Sequence, residues 1–200
     1  MKAVEENSVS GFDHAFWGHI GHVARNTFRA VILSFTRGWL TASPVSGELS
    51  QYYRKMNWAS ATFATMADIA MGSLGGSLKL REKITGRFAD ILSYMYIGFS
   101  VLRRYEADGR RKEDLPLVHY SMKYCFSEIQ RAFDGIFANL DVPIVGFLFK
   151  GPIRFWSRLN AFDANPSDTL SHKVAALTMV DSEQRDRLMN GIYLCDDPND

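Results

Sequence analysis

Cysteine is almost missing: Cys125 and Cys195 are the only two in 200 residues. They are far apart and show no CxxC or Cys/His spacing. A disulfide framework and a cysteine-based metal site therefore do not organise this chain, and a reducing compartment fits it. A surplus of one charge is missing too. Lys plus Arg number 23 against 22 for Asp plus Glu, a net charge of +1, which argues against a dedicated nucleic-acid binder. There is no long apolar run. The longest, "PIVGFLF" (143–149), falls far short of the ~20 residues that span a bilayer. The start, "MKAVEENSVSGFDHAFWG", is too acidic for a secretory signal and lacks an apolar core. Also absent are a repeat, a low-complexity tract and any alternating stretch that would suggest a sheet.

What is present is helical periodicity. In 52–70 the apolar residues Tyr52, Met56, Ala59, Phe63, Met66 and Ala70 recur at steps of four and three. In 80–102 the stripe is Leu80, Ile84, Phe88, Ile91, Met95, Phe99 and Leu102. In 118–140 it is Val118, Met122, Cys125, Ile129, Ala132, Ile136 and Leu140. Each stripe predicts an amphipathic helix, and such helices bury their stripes only against one another. Cys125 on the third stripe reads as a packing residue. The punctuation agrees. "TASPVSGE" (41–48) and "EADGRRKEDLP" (106–116) are turns, and Pro116 suits a helix start. "LDVP" (140–143) ends a helix. Ser167 or Asp168, and Asp181 or Ser182, are natural N-caps for two short helices, and Gly191 closes the second. The expected fold is all-α: an antiparallel bundle of three to four long helices with short C-terminal helices. Its parts would be a flexible N-terminus (1–10), a helical domain (11–194) and a flexible tail (195–200). Within the domain the long-helix bundle covers 11–140, a basic-aromatic segment 143–162 and short helices 167–190.

Motifs for chemistry are few. "GSLGGSLKLR" (72–81) looks like a phosphate loop, but its glycines fit neither the Walker order nor GxGxxG. The plain reading is a helix break and restart, with Ser77 capping the next helix. The alternative is an anion held at a helix start by backbone amides with Lys79 and Arg81. His19 and His22 stand three apart and could share a metal, with Asp13 at the edge, yet no HExxH accompanies them. Polar helix positions are the simpler reading. His119 reads as a hydrogen-bonded packing residue. Glu82, Asp90, Glu106, Glu113 and Asp114 are the carboxylates available for acid–base work, and solvated ion pairs account for them. Asp90 adjoins its stripe and is expected to be partly buried beside Arg87 or Lys83. No GxSxG elbow occurs. These residues supply no catalytic, cofactor-binding or metal site.

Two stretches suggest a surface. "FDHAFWGHIGHVARNTFRAVILSFTRGW" (12–39) mixes aromatics with Arg25, Arg29 and Arg37. "PIVGFLFKGPIRFWSRL" (143–159) sets Phe147, Phe149 and Trp156 among Lys150, Arg154 and Arg158. That composition suits a helix lying in a membrane interface, a partner contact, or core packing with the basic groups reaching out to water. Gly151 and Pro152 are expected to break any long helix there.

Several segments in order, "GGSLKLREKITGRFADILS" (75–93), "LRRYEADGRRKEDLPLVHY" (102–120), "PSDTLSHKVA" (166–175) and "GIYL" (191–194), together with "FWGHIGHVARNTFRA" and "FTRGWLTASP" upstream, resemble the C-terminal region of the long bacterial acyl-CoA dehydrogenases of fatty-acid β-oxidation. More distantly the arrangement is similar to the extra helical domain of very-long-chain acyl-CoA dehydrogenases. The resemblance implies an enzyme that oxidises a fatty acyl-CoA to the trans-2-enoyl-CoA, with FAD accepting the hydride and a glutamate taking the α-proton. None of Glu82, Glu106 or Glu128 matches that base, and the flavin and substrate domains of relatives precede this region. The chain is therefore expected to be a fragment, a split-gene product or an isolated domain, binding no FAD alone. Its implied partners are the catalytic dehydrogenase domains, a second copy and the inner-membrane surface, with no nucleic acid, and its implied location is cytoplasmic or peripheral at the inner membrane. A stand-alone helical interaction module is the other reading.

Overall fold

A computed structural model describes residues 9–142 and 146–193. The expectations for residues 1–8, 143–145 and 194–200, Cys195 included, lie outside the described residues. The described residues are mostly helical, and among them there is no strand. Four long helices come first: α1 (Val9–Phe35), α2 (Ser50–Leu74), α3 (Glu82–Ala107) and α4 (Leu115–Asn139). A bent helical segment comes next, made of α5 (Gly146–Leu148), a π turn (Phe149–Ile153) and α6 (Arg154–Leu159). Two short helices end the described chain, α7 (Asp168–Met179) and α8 (Glu183–Met189). Val9 and Ser10 already belong to α1, so the helix begins inside the stretch expected to be flexible.

The centre of the bundle is α4. All seven members of its predicted stripe are buried, and Phe126, Phe133 and Phe137 widen that stripe on a second side. A helix apolar over so wide an arc packs against neighbours on more than one face. α3 forms a hairpin with it, closed by Gly109 at φ +85° and by Pro116 in the first turn of α4. On the other side Tyr52 of α2 stacks on Phe126 at 6.2 Å. α2 and α3 meet through Met56 and Gly98, where a methyl on Gly98 would collide with the Met56 Cε.

The stripes of α2 and α4 are in register with the core, with Phe63 half-buried. That of α3 needs two corrections. Leu80 is 85% exposed and Phe99 39%. Leu80 ends a 3-10 turn (Gly75–Leu80) that precedes the helix, so the 100° phase does not carry back to it. Phe99 sits at the rim, its ring tilted against Tyr53 at 6.5 Å. The glycine stretch is a break and restart, as expected. Gly75 ends α2 at φ +50°, a conformation that glycine adopts without strain. Ser77 does not cap α3; its hydroxyl donates back to the Leu74 carbonyl. Both short helices have the caps that their sequences announce. Ser167 Oγ accepts from Leu170 N, and Ser182 Oγ from Arg185 N.

Gly151 and Pro152 do not break their helix. The chain widens into the π turn, whose longer spacing absorbs the missing proline N–H, and helical dihedrals continue into Arg154. No helix among the described residues is long and apolar enough to cross a membrane.

Candidate functional site

The two stretches singled out by composition meet. Phe35 of α1 packs on Trp156 of α6 at 4.9 Å. Trp156 Nε1 donates to Ser34 Oγ at 2.9 Å, and Asn160 Nδ2 to the Ser34 carbonyl at 2.5 Å. Arg37 Nε closes the link on Asn160 Oδ1 at 2.7 Å. Between these elements, α2 and α4 lies a groove of about 420 Å³. Val31, Phe35, Trp58, Met66, Phe137 and Trp156 are among the side chains that line it. Four of its five hydroxyl groups have partners in the scaffold. Thr62 and Thr65 donate to the Trp58 and Ala61 carbonyls, Ser34 receives Trp156, and Ser157 receives Gln130. The groove therefore presents carbon, and its polarity suits an apolar occupant.

The basic residues of 143–159 are mostly engaged. Arg154 and Arg158 both grip Asp134 of α4, with Nε–Oδ1 distances of 2.8 and 2.9 Å. The Arg154 bonds first, then those of Arg158, hold the Asp134 carboxyl at about 2 against the opposing effect of burial. Lys150 pairs with Asp141. Hydrogen bonding by Lys150 lowers the Asp141 carboxyl, and the charge of Arg81 adds a little. Of the aromatics, Phe147 is 68% exposed, Trp156 is half-covered by Phe35, and Phe149 is buried at 6% against Phe137. Phe149 thus belongs to the core and not to the outer surface that composition suggests for it. Phe155, 66% exposed, faces out.

Lys79 and Arg81 are exposed on the 3-10 turn and the residue after it, beside an open depression lined by Leu80, Arg81 and Glu82. The structure brings Arg81 within electrostatic reach of the Lys150 pair, a proximity that spacing alone does not show. The two ring nitrogens of His22 lie 3.3 Å from Arg25 Nη2 and 2.8 Å from Asn26 Nδ2. Among the described residues no group of three or more His, Cys, Asp or Glu is placed to hold a metal. His119 is the hydrogen-bonded packing residue expected, with Tyr52 Oη 2.6 Å from its Nδ1 and Glu48 3.4 Å from its Nε2. Burial, then the charges of Asp163 and Glu48, push the Tyr52 hydroxyl upward. Cys125 is buried, and burial raises its thiol to about 11.

Three of the carboxylates read as solvated are indeed on the surface or paired there: Glu82 is exposed, Glu106 binds Arg110 at 2.5 Å, and Glu113 lies 3.9 Å from Arg111. Asp90 is exposed and has no ion pair among the described residues, so its expected burial beside Arg87 or Lys83 does not hold. Arg87 instead lies over Gly135 of α4, where any side chain would collide with it. Asp114 departs the other way. It is buried at 5% and takes both oxygens to Arg187 of α8 at 2.8 Å. Asp163, unmarked by any sequence motif, ties α2 to α4 through Lys55 at 2.6 Å and Lys123 at 2.9 Å. The only advance signal for either was a carboxylate beside apolar neighbours in a loop.

The family described as "Acyl-CoA dehydrogenase, C-terminal, bacterial type" matches residues 1–200, the whole chain. The chain belongs to that family. No solved structure gives a match. Acyl-CoA dehydrogenases generally use FAD, but the groove and the clamp of this C-terminal domain do not fit that group. The groove is lined mainly by apolar side chains, and Arg154 and Arg158 are held by Asp134, so neither offers free donors to a flavin or a pyrophosphate. What the dehydrogenase domain offers instead is an apolar groove and an ion-paired clamp on a helical scaffold.

Proposed function

We propose that this chain is a non-catalytic helical domain of an acyl-CoA dehydrogenase that oxidises fatty acyl-CoA with FAD. The flavin, the substrate and the catalytic base would reside in the dehydrogenase's other domains. The domain, one unit over 11–194 set against the catalytic domains, serves as scaffold, dimer contact or membrane-surface contact. The observation that carries this reading is the match of the whole chain to the C-terminal dehydrogenase family. The groove and the clamp support it, because they are built for packing and holding.

The direct test is assay of the purified chain with acyl-CoA, FAD and an artificial electron acceptor. The reading expects a colourless protein, no turnover, and co-purification with co-expressed catalytic dehydrogenase domains. Turnover by the chain alone, or failure to associate with those domains, would sink it. The membrane part is tested apart, by sedimentation with vesicles of anionic lipid. Phe147 and Phe155 are 68% and 66% exposed, so F147S/F155S leaves the fold intact. Loss of sedimentation in that variant supports a membrane face on α5 and α6; unchanged sedimentation removes it. Lys79 and Arg81 are proposed as a minor anion contact, checked by phosphate titration of K79A/R81A.

A further inference from the structure

The apolar stripe of α1 is longer than its partner. It runs through Val9, Phe12, Phe16, Ile20 and Val23 and then continues as Thr27, Ala30, Val31 and Ser34 on the same face. The second half lines the groove. The first half stays open to solvent. Residues 9–22 are exposed apart from Gly11, with Val9 at 74%, Phe12 at 52%, Phe16 at 47%, Trp17 at 67% and Ile20 at 43%. Among the described residues the aromatics of this arm stack only on each other, Phe12 on Phe16 and Phe16 edge-on to Trp17.

Such an arm does not stand by its own propensity. Gly11, Gly18 and Gly21 lie inside it, and each glycine costs a helix about 1 kcal/mol relative to alanine. An overhang of some four turns, cut three times by glycine, holds its helix through packing. Lipid is a poor candidate for that packing. From Val9 to Ala24 the arm has no Lys or Arg and a single acid, Asp13, whereas helices that adsorb on anionic membranes carry a cationic face.

We infer that a second copy of this chain covers the arm, by a two-fold exchange in which each α1 arm enters the other copy's groove. An antiparallel pairing of the two α1 helices sets the exposed half of each stripe beside the groove half of the other. The match is then self-complementary, which a two-fold interface requires. The groove's 420 Å³ suits two or three apolar side chains, and its mainly apolar lining suits Phe12 and Phe16. Area is compatible. A fully covered aromatic side chain buries ~150–250 Å²; Val9, Phe12, Phe16 and Ile20 of the arm with Val31 and Phe35 at the groove are about half to two-thirds exposed, so this face presents on the order of 600 Å² of apolar surface per copy, the larger part of the ~800 Å² per partner in a standard stable interface. This gives a location to the dimer contact proposed above and rests on that contact.

Sedimentation equilibrium of the full chain tests it. The wild type is expected at twice the 22.6 kDa of one chain at micromolar concentration. F16D in the arm and V31E at the groove rim change exposed positions, so both variants keep the helical circular dichroism of the parent. Each alone is expected to weaken dimerisation by roughly 30-fold or more. Mixed together they regain a heterodimer, because the intact arm of one meets the intact groove of the other. A wild type that stays monomeric overturns both the dimer contact and this surface. A dimer unaffected by F16D and V31E keeps the dimer contact and overturns the arm-in-groove exchange. Arm residues protected from limited proteolysis by added catalytic domains, but not by self-association, overturn it in favour of those domains as the occupant.

Discussion

Asp134 is where the basic-aromatic segment is fastened to the bundle, and D134N weakens that fastening with almost no change in shape. Four hydrogen bonds from Arg154 and Arg158 converge on the carboxylate. They hold its carboxyl at about 2 when folded. An unfolded aspartate titrates near ~3.9, so the difference corresponds to about 2.5 kcal/mol of stability at neutral pH. Arg154 and Arg158 are 31% and 58% exposed, and solvent screening reduces that figure. We expect D134N to cost ~1–2 kcal/mol at pH 7. Because the folded value is depressed, the contribution is complete above about pH 4 and is lost as pH falls toward 2. Urea unfolding of wild type and D134N, followed by circular dichroism at a series of pH values, reads this directly. The two curves should be separated at pH 7 and 5 and converge between pH 4 and 2. A gap that persists undiminished at pH 2, or no gap at pH 7, would refute the assignment of these bonds as the source.

I129A should lower stability by ~2–4 kcal/mol in the same assay, since Ile129 is fully buried at the centre of α4 and its removal leaves a cavity. G38A should cost ~2 kcal/mol or more. Its φ is +78° and a Cβ would lie 2.5 Å from the Arg54 carbonyl oxygen, a backbone atom that does not yield. G109A, at φ +85° with open space around it, should cost only about 1 kcal/mol, so a larger loss there than at Gly38 would contradict the steric account. The Cys125 thiol, raised to about 11 by burial, should react with a disulfide reagent in a C195S background only as urea unfolds the chain.

The long helices were readable because each had a continuous stripe to bury. Val118 through Leu140 is the clearest case: every predicted member is inside. The caps at Ser167 and Ser182 were readable for a local reason, since a side-chain oxygen reaches its own helix's N–H groups three residues on. Leu80 and Phe99 show where periodicity stops helping. It counts residues, and it does not register that a 3-10 turn shifts the phase or that a bundle has a rim. Pro152 runs against expectation because a π turn can take up a proline within a helix, which composition alone does not reveal.

The candidate site was legible in its composition but not in its shape. Two aromatic stretches more than 100 residues apart both carry the marks of a surface, and both wall the groove. Nothing in either announces that Trp156 lies on Phe35, or that Phe149 turns inward while Phe147 turns out. The ion pairs depend on the same long-range geometry. A run of basic residues beside aromatics reads as a membrane face, a partner contact or core packing, and nothing in it announces that Arg154 and Arg158 meet Asp134 of α4. By itself the sequence determined the all-α class, the N-caps of the two short helices and the resemblance to a dehydrogenase's C-terminal region, because those depend on local spacing and ordered segments. Only the tertiary structure decided which apolar residues face a cavity, which charges are already held, and which half of the α1 stripe stays exposed. Those are properties of how helices lie against one another, and a stripe carries no record of what it will meet.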